Sequence, residues 1–362
     1  MKKTSYIVLG IILILIIYAI FGSTNRSDEI RLGAVLPMTG GLASIGEDLK
    51  NGMELAAQKE DVSIKIEDGM ADPKKSLSAG QALSEIDKVS VILTAFRGAS
   101  LSIASSLKNK TTIVFATTAT TDGKTVSTSS ENFFVIGAEM ISAGKIPGEY
   151  AIKNKLCSNV SLISEQSDAG KDKLSGFEQG VGKEKVVFKE FFQPSDRDFK
   201  TLISKMKEKK SDCMFVEVRS NNFPTLLDQM SKQNFFPKIF ANSYSVTPQG
   251  IKDSPESETK NVIFSSTAFD TNQVSIDFAR EYREKYKKEP TDFAAIGYEM
   301  IRLISKPLKE CKSDIVCTKE KLASIRGVDS SVGILNMSEN REIQLKEYNL
   351  YTINNKNFEK IK

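Results

Sequence analysis

Residues 30–58 read IRLGAVLPMTGGLASIGEDLKNGMELAAQ. Residues 32–36 form a short apolar run that suits a buried strand. Pro37, Gly40 and Gly41 then punctuate a turn, and from Glu47 onward Leu49, Met53, Ala56 and Ala57 recur on one helical face. Strand, polar turn and helix in that order make one βα unit. The turn sets the hydroxyls of Thr39 and Ser44, with free backbone N–H groups, beside a helix N-terminus whose partial positive charge suits an anionic ligand group. A plain connection that binds nothing is the alternative.

Outward from this unit the pattern repeats. Residues 62–67 alternate as a strand, and Asp72-Pro73 supplies an N-cap and a first-turn proline for a helix reaching about residue 87. Strands follow at 89–93, 111–115 and 132–136, separated by a helix through residue 108 and the hydroxyl-rich turn ATTATTDGKT. A second series begins with a helix at 141–153. It continues with strands at 160–164, 186–192, 214–218, 238–241 and 262–265, with helices at 172–179, 199–207 and 224–233 between them. From residue 275 the text turns helical, and residues 332–353 read as returning strands. Short turns between alternating strands and helices predict doubly wound parallel sheets.

Upstream, Met1-Lys2-Lys3 precedes the apolar run YIVLGIILILIIYAIFG at residues 6–22. As helix, such a run spans about 25 Å, at the short end of what crosses a bilayer. Lys2 and Lys3 favour the cytoplasmic side, so the remainder is expected outside. Bulky Ala19-Ile20-Phe21 and weak Gly22-Ser23-Thr24 fit a cleavage site poorly, and no lipobox cysteine follows the run. Residues 1–29 are therefore expected to be a signal peptide or an N-terminal membrane anchor, the uncleaved anchor being preferred to the cleaved signal.

Four cysteines allow three pairings. Cys311 and Cys317 bracket a short loop and are the first choice. Cys157 and Cys213 each sit just before an apolar strand, starts that a parallel sheet could make neighbours. Four free buried thiols are the alternative, disfavoured on the oxidising side of a membrane.

Composition excludes several functions. The chain has 362 residues, 40% hydrophobic and 27% charged, with no histidine and no tryptophan. Without histidine there is no Ser-His-Asp or Cys-His catalysis, and the commonest transition-metal ligand is missing. No metal site and no cofactor are expected. The 50 basic and 46 acidic residues are well mixed, so no nucleic-acid partner is indicated. Asp122-Gly123-Lys124-Thr125 imitates the end of a P-loop, but Thr118 stands where that motif needs glycine. No G-x-S-x-G elbow is present for an exported hydrolase.

The string GAVLPMTGGLASIGEDLKNGMELA resembles the opening of the type I periplasmic binding proteins, specifically the branched-chain amino acid (Leu/Ile/Val) group that serves ABC importers. EDGMADPKKSLSAGQAL and IDFAREYREKYKKEPTDFAAIGYEMIRLISKPL, with its Glu-Pro break and Gly297-Tyr298, extend the resemblance to about residues 30–353. It implies an α/β fold of two doubly wound parallel-sheet lobes joined by three crossovers, near residues 137, 267 and 336, with a ligand cleft between them. Lobe one is expected to hold residues 30–136 and 268–336, and lobe two residues 137–267 and 337–362.

The resemblance also implies a site. Turns after the third and fourth strands of lobe one would hold a ligand carboxylate, which nominates Gly98, Ala99 and Ser100, then Thr118, Ala119 and Thr120. The departures are pointed. Arg97 stands where many relatives carry a serine, Ile45 where an aromatic caps the ligand, and Met140, with Glu139 beside it, where an acid takes the ammonium. Ala169 replaces an expected tyrosine. Arg97 and Arg219 together fit a ligand more anionic than leucine, unless each pairs with a nearby acid. Glu139, Asp168, Asn242 and Tyr244 are the polar groups expected from lobe two.

The expected role is an extracytoplasmic, non-enzymatic solute-binding protein. It would close on an amino acid or related carboxylate and deliver it to an ABC permease, with the N-terminal segment tethering it to the membrane. The competing role is a sensing ectodomain that reports to a membrane signalling partner.

Overall fold

The structure, a computed structural model, describes residues 30–117, 129–267 and 272–361. The apolar run at 6–22, the nominated Thr118, Ala119 and Thr120, and the 122–125 P-loop look-alike lie outside the described residues. No described helix is long and apolar enough to cross a membrane.

The first sheet is built from β1 (Arg31–Leu36), β2 (Ser63–Asp68), β3 (Val91–Ala95), β4 (Ile113–Thr117), β5 (Phe133–Ala138) and β13 (Glu342–Leu345). Its order is β13-β5-β4-β3-β1-β2, with every pair parallel. VILTA in β3 and IVFAT in β4 are buried at every position, as central strands covered on both faces must be. SIKIED in β2 is only partly buried, which suits an edge.

The second sheet takes β6 (Val160–Glu165), β7 (Val186–Phe192), β8 (Cys213–Glu217), β9 (Lys238–Asn242), β10 (Val262–Thr267), β14 (Tyr348–Asn354) and β15 (Asn357–Lys360). The order is β15-β14-β10-β9-β8-β6-β7, parallel except for β14 and β15. A small two-stranded ribbon, β11 (Val328–Ser330) with β12 (Gly333–Leu335), stands apart.

In both sheets the winding reverses beside the first strand of the series, between β1 and β3 and between β6 and β8. Crevices that bind ligands open at the carboxyl ends of strands at such reversals. Among the described residues the chain passes between the two large sheets three times: after β5, after β10, and between β13 and β14. The third passage corrects the sequence expectation. Residues 337–362 do not all belong to lobe two, because β13 pairs with β5 from Glu342↔Val135 to Leu345↔Ala138, and the crossing falls after Leu345. EIQL is a short, largely buried strand, too brief to announce its sheet by pattern alone.

Helices α1 (Ala43–Glu60), α2 (Pro73–Glu85) and α3 (Arg97–Ser106) follow the first three strands. As expected from Asp72-Pro73, Asp72 caps α2, accepting from the N–H groups of Lys74 and Lys75 with Pro73 in the first turn. In lobe two, α4 (Met140–Lys153) and α5 (Asp168–Val181) pack backbone to backbone. A Cβ on Gly144 would lie 1.9 Å from the Lys173 carbonyl oxygen, and one on Gly176 would lie 2.0 Å from that of Ile141. Lobe one repeats the device. After α6 (Lys200–Glu208) and α7 (Phe223–Lys232) of lobe two, the later helices α8 (Gln273–Tyr286) and α9 (Asp292–Glu310) complete lobe one, and Gly297 of α9 lets the Leu49 carbonyl of α1 approach as no other residue would. Phe278, Tyr282 and Tyr298, from the helical text after residue 275, fill the same core as Leu32, Phe115 and Ile301.

Both nominated disulfides are present, Cys157–Cys213 and Cys311–Cys317. β6 and β8 are adjacent and parallel, with Val160 opposite Cys213, which brings the two strand starts together.

Candidate functional site

A cavity of about 540 Å³ lies between the lobes, at the carboxyl ends of β3, β4, β6, β8 and β9. That is within the usual range for small-ligand pockets, roughly 300–1,000 Å³. The lips of the cleft meet at its edge. Ser44 Oγ lies 3.4 Å from Ser220 Oγ, and Gly41 packs against the side chain of Asn221.

The lobe-one wall is the start of α3. Phe96 precedes it with φ +68°, the left-handed side of φ space that bulky residues rarely adopt, at a strain of about 1–3 kcal/mol. Its ring meets Tyr244 of lobe two edge-on, with centroids 6.5 Å apart. The N-terminus of α3 has no side-chain cap, and Arg97 and Gly98 line the cavity beside it. Uncapped N–H groups next to a guanidinium favour an anion. Ala99 and Ser100 sit one layer behind and are buried; the Ser100 hydroxyl makes no hydrogen bond.

The lobe-two wall is a chain of buried charge. Glu165, Glu217 and Asn242 are the last residues of β6, β8 and β9, so strand geometry alone aims all three at the cleft. Lys173 reaches back from α5 and donates to Glu217 Oε1 at 2.6 Å, with both side chains almost fully buried. Asn242 Nδ2 donates to Glu217 Oε2, and Asn242 Oδ1 accepts from the Tyr244 N–H at 2.9 Å. The Tyr244 hydroxyl donates to Glu165 Oε1 at 2.6 Å, and its ring lies 5.2 Å from Lys173 Nζ. Arg219 completes the row, with Nε 3.5 Å from Glu165 Oε2.

Burial raises the Glu165 carboxyl above its ordinary range, even though the Tyr244 hydrogen bond and the charges of Arg219 and Lys173 pull the other way. Burial, with Glu165 adding to it, holds the Tyr244 phenol well above its usual value. At the root of the cleft, Asp292 opens α9 and ties the lobes together. Its Oδ2 accepts from Ser243 Oγ at 2.7 Å and from the Thr267 N–H at 3.3 Å. Burial also raises this carboxyl, against the hydroxyl and backbone hydrogen bonds that lower it.

Of the residues nominated from sequence, Arg97, Gly98, Asp168, Arg219, Asn242 and Tyr244 line the cavity. Asp168 is at the rim, exposed, 3.4 Å from Lys171. Others stand elsewhere. Ile45 is fully buried in the lobe-one core, on the inward face of α1. Thr39 bonds Asp68 at the surface, donating from Oγ1 at 2.5 Å. Glu139 caps α4, accepting from the N–H groups of Ile141 and Ser142, so its oxygens are taken up by the helix end. Sequence reasoning missed Phe96, Glu165, Lys173, Glu217 and Asp292. The available signal was an acid closing an otherwise apolar strand: VSLISE and CMFVE each end on glutamate at the end that faces the cleft.

The chain matches the model for the family described as periplasmic binding protein over residues 29–357. The Leu/Ile/Val-binding protein homolog 3 of Brucella melitensis is 24% identical over 206 residues, 54% of this chain and 55% of that protein. The chain thus spans about half the length of the curated relatives it matches. The substrate binding protein LivJ of the branched-chain amino acid transporter of Streptococcus pneumoniae, in complex with isoleucine, superposes with TM-score 0.81 at 22% identity, covering 92% of this chain and 98% of that one. A solute binding protein of an ABC transporter from Rhodopseudomonas palustris, in complex with 3,4-dihydroxybenzoic acid, gives TM-score 0.77 at 20% identity, over 92% and 96%.

Proposed function

Because this chain belongs to the periplasmic binding protein family, matched over residues 29–357, we propose that it is an extracytoplasmic, non-enzymatic binding protein for a small carboxylate. The ligand is an amino acid or a related organic acid, handed on to an ABC importer. One observation carries the reading. The cleft sets an uncapped helix N-terminus and Arg97 on one lobe against a row of buried hydrogen-bonding groups on the other. A carboxylate seated on α3 would span to that row and favour the closed arrangement over the open one. The named relatives support the class of ligand, since one complex holds an amino acid and another an aromatic acid. The apolar run at 6–22 would tether the protein beside its permease and raise the effective concentration of loaded protein there.

The test is a thermal-shift screen of the full chain in mild detergent against amino acids, short-chain and aromatic carboxylates, and uncharged analogues. Ligand at a hundredfold its dissociation constant adds about 2.7 kcal/mol of stability, a readable shift. Carboxylates are expected to shift the transition and their amides and esters to do so far less. Arg97→Ala is expected to weaken the best carboxylate about tenfold or more, the scale of a charge-assisted hydrogen bond. Unchanged affinity in that variant would sink the assignment of Arg97.

A further inference from the structure

Two atoms of the lobe-two wall make no hydrogen bond, and they sit side by side. Glu165 Oε2 and Arg219 Nε are both buried and form an ion pair 3.5 Å apart, yet neither makes a hydrogen bond. The other Glu165 oxygen is committed to Tyr244. Glu165 is 4% exposed and lines the cavity with Arg219. A buried acceptor and a buried donor that are ion-paired without a hydrogen bond, beside a cavity, each carry a desolvation penalty that a group inserted between them relieves.

The charges around these atoms select that group. An ammonium would satisfy Oε2 but stand against the Arg219 guanidinium and leave Nε–H unpaired. A carboxylate would satisfy Nε–H and stand against Glu165. The adjacent Lys173–Glu217 pair is closed on itself, with Asn242 on its second oxygen, and supplies no spare charge of either sign. A neutral group that donates and accepts from the same end completes both atoms at once. A carboxamide does so with N–H to Oε2 and C=O to Nε–H, and a hydroxyl does so with its single oxygen.

We propose that Glu165 and Arg219 form a subsite for a neutral donor–acceptor group, so that the preferred ligand is a carboxylic acid bearing a carboxamide or a hydroxyl at its far end. This rests on the reading of the cleft as a carboxylate site, and it excludes a purely aliphatic side chain as the best fit.

The test titrates the full chain in mild detergent, by calorimetry, with short-chain carboxylic acids of graded length. Members of equal length differ only at the far end: carboxamide, hydroxyl, methyl, carboxylate or ammonium. The carboxamide and hydroxyl acids are expected to bind at least about tenfold more tightly than their equal-length partners, the discrimination expected when buried polar groups are left unpaired by the wrong ligand. Which of the two leads distinguishes the amide from the alcohol. Glu165→Gln and, independently, Arg219→Lys, which removes Nε–H but keeps the charge, are expected to erase that preference.

A preference for the ammonium or carboxylate end, or no dependence on the end group, overturns the subsite and leaves the cleft reading intact. An equal loss of affinity for every acid in both variants also overturns it, since that is the mark of a merely structural pair. Binding by no member of the series overturns the carboxylate reading and the subsite with it.

Discussion

Glu165 illustrates how little sequence distance matters to charge. It closes β6, yet its environment is set by Tyr244, Lys173, Glu217 and Arg219. Because burial raises its carboxyl in the folded state, the folded protein holds that proton to higher pH than the unfolded chain does. The group's contribution to stability is therefore fully present below the unfolded value, about 4.3, and is lost as pH rises through the folded value. Glu165→Gln lacks this titration. The stability of the variant relative to wild type, from urea melts without ligand, should thus shift in the variant's favour between pH 4 and pH 7. An unchanged difference would mean that Glu165 titrates alike in both states. Asp68 shows the opposite sign. Burial opposes its charge, but hydrogen bonds from Thr39, Met70 and Met38 outweigh that and lower its carboxyl, so its contribution is lost on acidification.

At the scale of elements, the pairing of α4 with α5 both holds lobe two together and places Lys173. Gly176→Val would force its side chain into the Ile141 carbonyl, 2.0 Å from where even a Cβ would sit. It is expected to destabilise by about 3 kcal/mol, the upper end of overpacking effects. It should also weaken ligand binding by shifting Lys173, one turn away on the same face. Lys171→Ala, on the exposed side, should change stability by no more than about 0.5 kcal/mol, with both read from denaturant midpoints. The elements were also what the sequence disclosed best. Apolar runs such as VILTA and IVFAT, the Asp72-Pro73 start and the spacing of Phe278, Tyr282 and Tyr298 need only local periodicity to be read. The site was legible on its lobe-one side, where Arg97 and Gly98 follow a strand directly. Lobe two was harder. Lys173 lies a full turn inside a helix and acts only because two glycines draw α5 against α4, while Glu139 looked like a ligand group and is consumed as a cap. Ile45 misled for a related reason: the inward face of α1 begins sooner than the turn residues imply.

For the whole molecule, two of the contacts between the lobes differ in kind. The lip contacts of Ser44 with Ser220 and Gly41 with Asn221 are slight, whereas Asp292 binds Ser243 and Thr267 from a fully buried position beside the second crossing. Motion should therefore open the lips while the root stays fixed. Small-angle scattering of the full chain in detergent is expected to show a smaller radius of gyration with the best ligand of the screen than without it. Asp292→Ala should lessen that difference by loosening the pivot. No contraction on saturation would count against hinge closure.

The late crossing of the chain has a consequence for the order in which the molecule is assembled. The first sheet opens with β1 at Arg31 and closes only with β13 at Leu345, and the second acquires β14 and β15 immediately afterwards. Helices α8 and α9, which seal the first lobe, also arrive late. A nascent chain that has emerged only as far as residue 330 thus has two sheets with raw edges and no finished half. The contacts that complete them link its earliest and latest segments, the kind that close most slowly. Such a chain stays pliant until its last segment appears, and then both halves are completed nearly together.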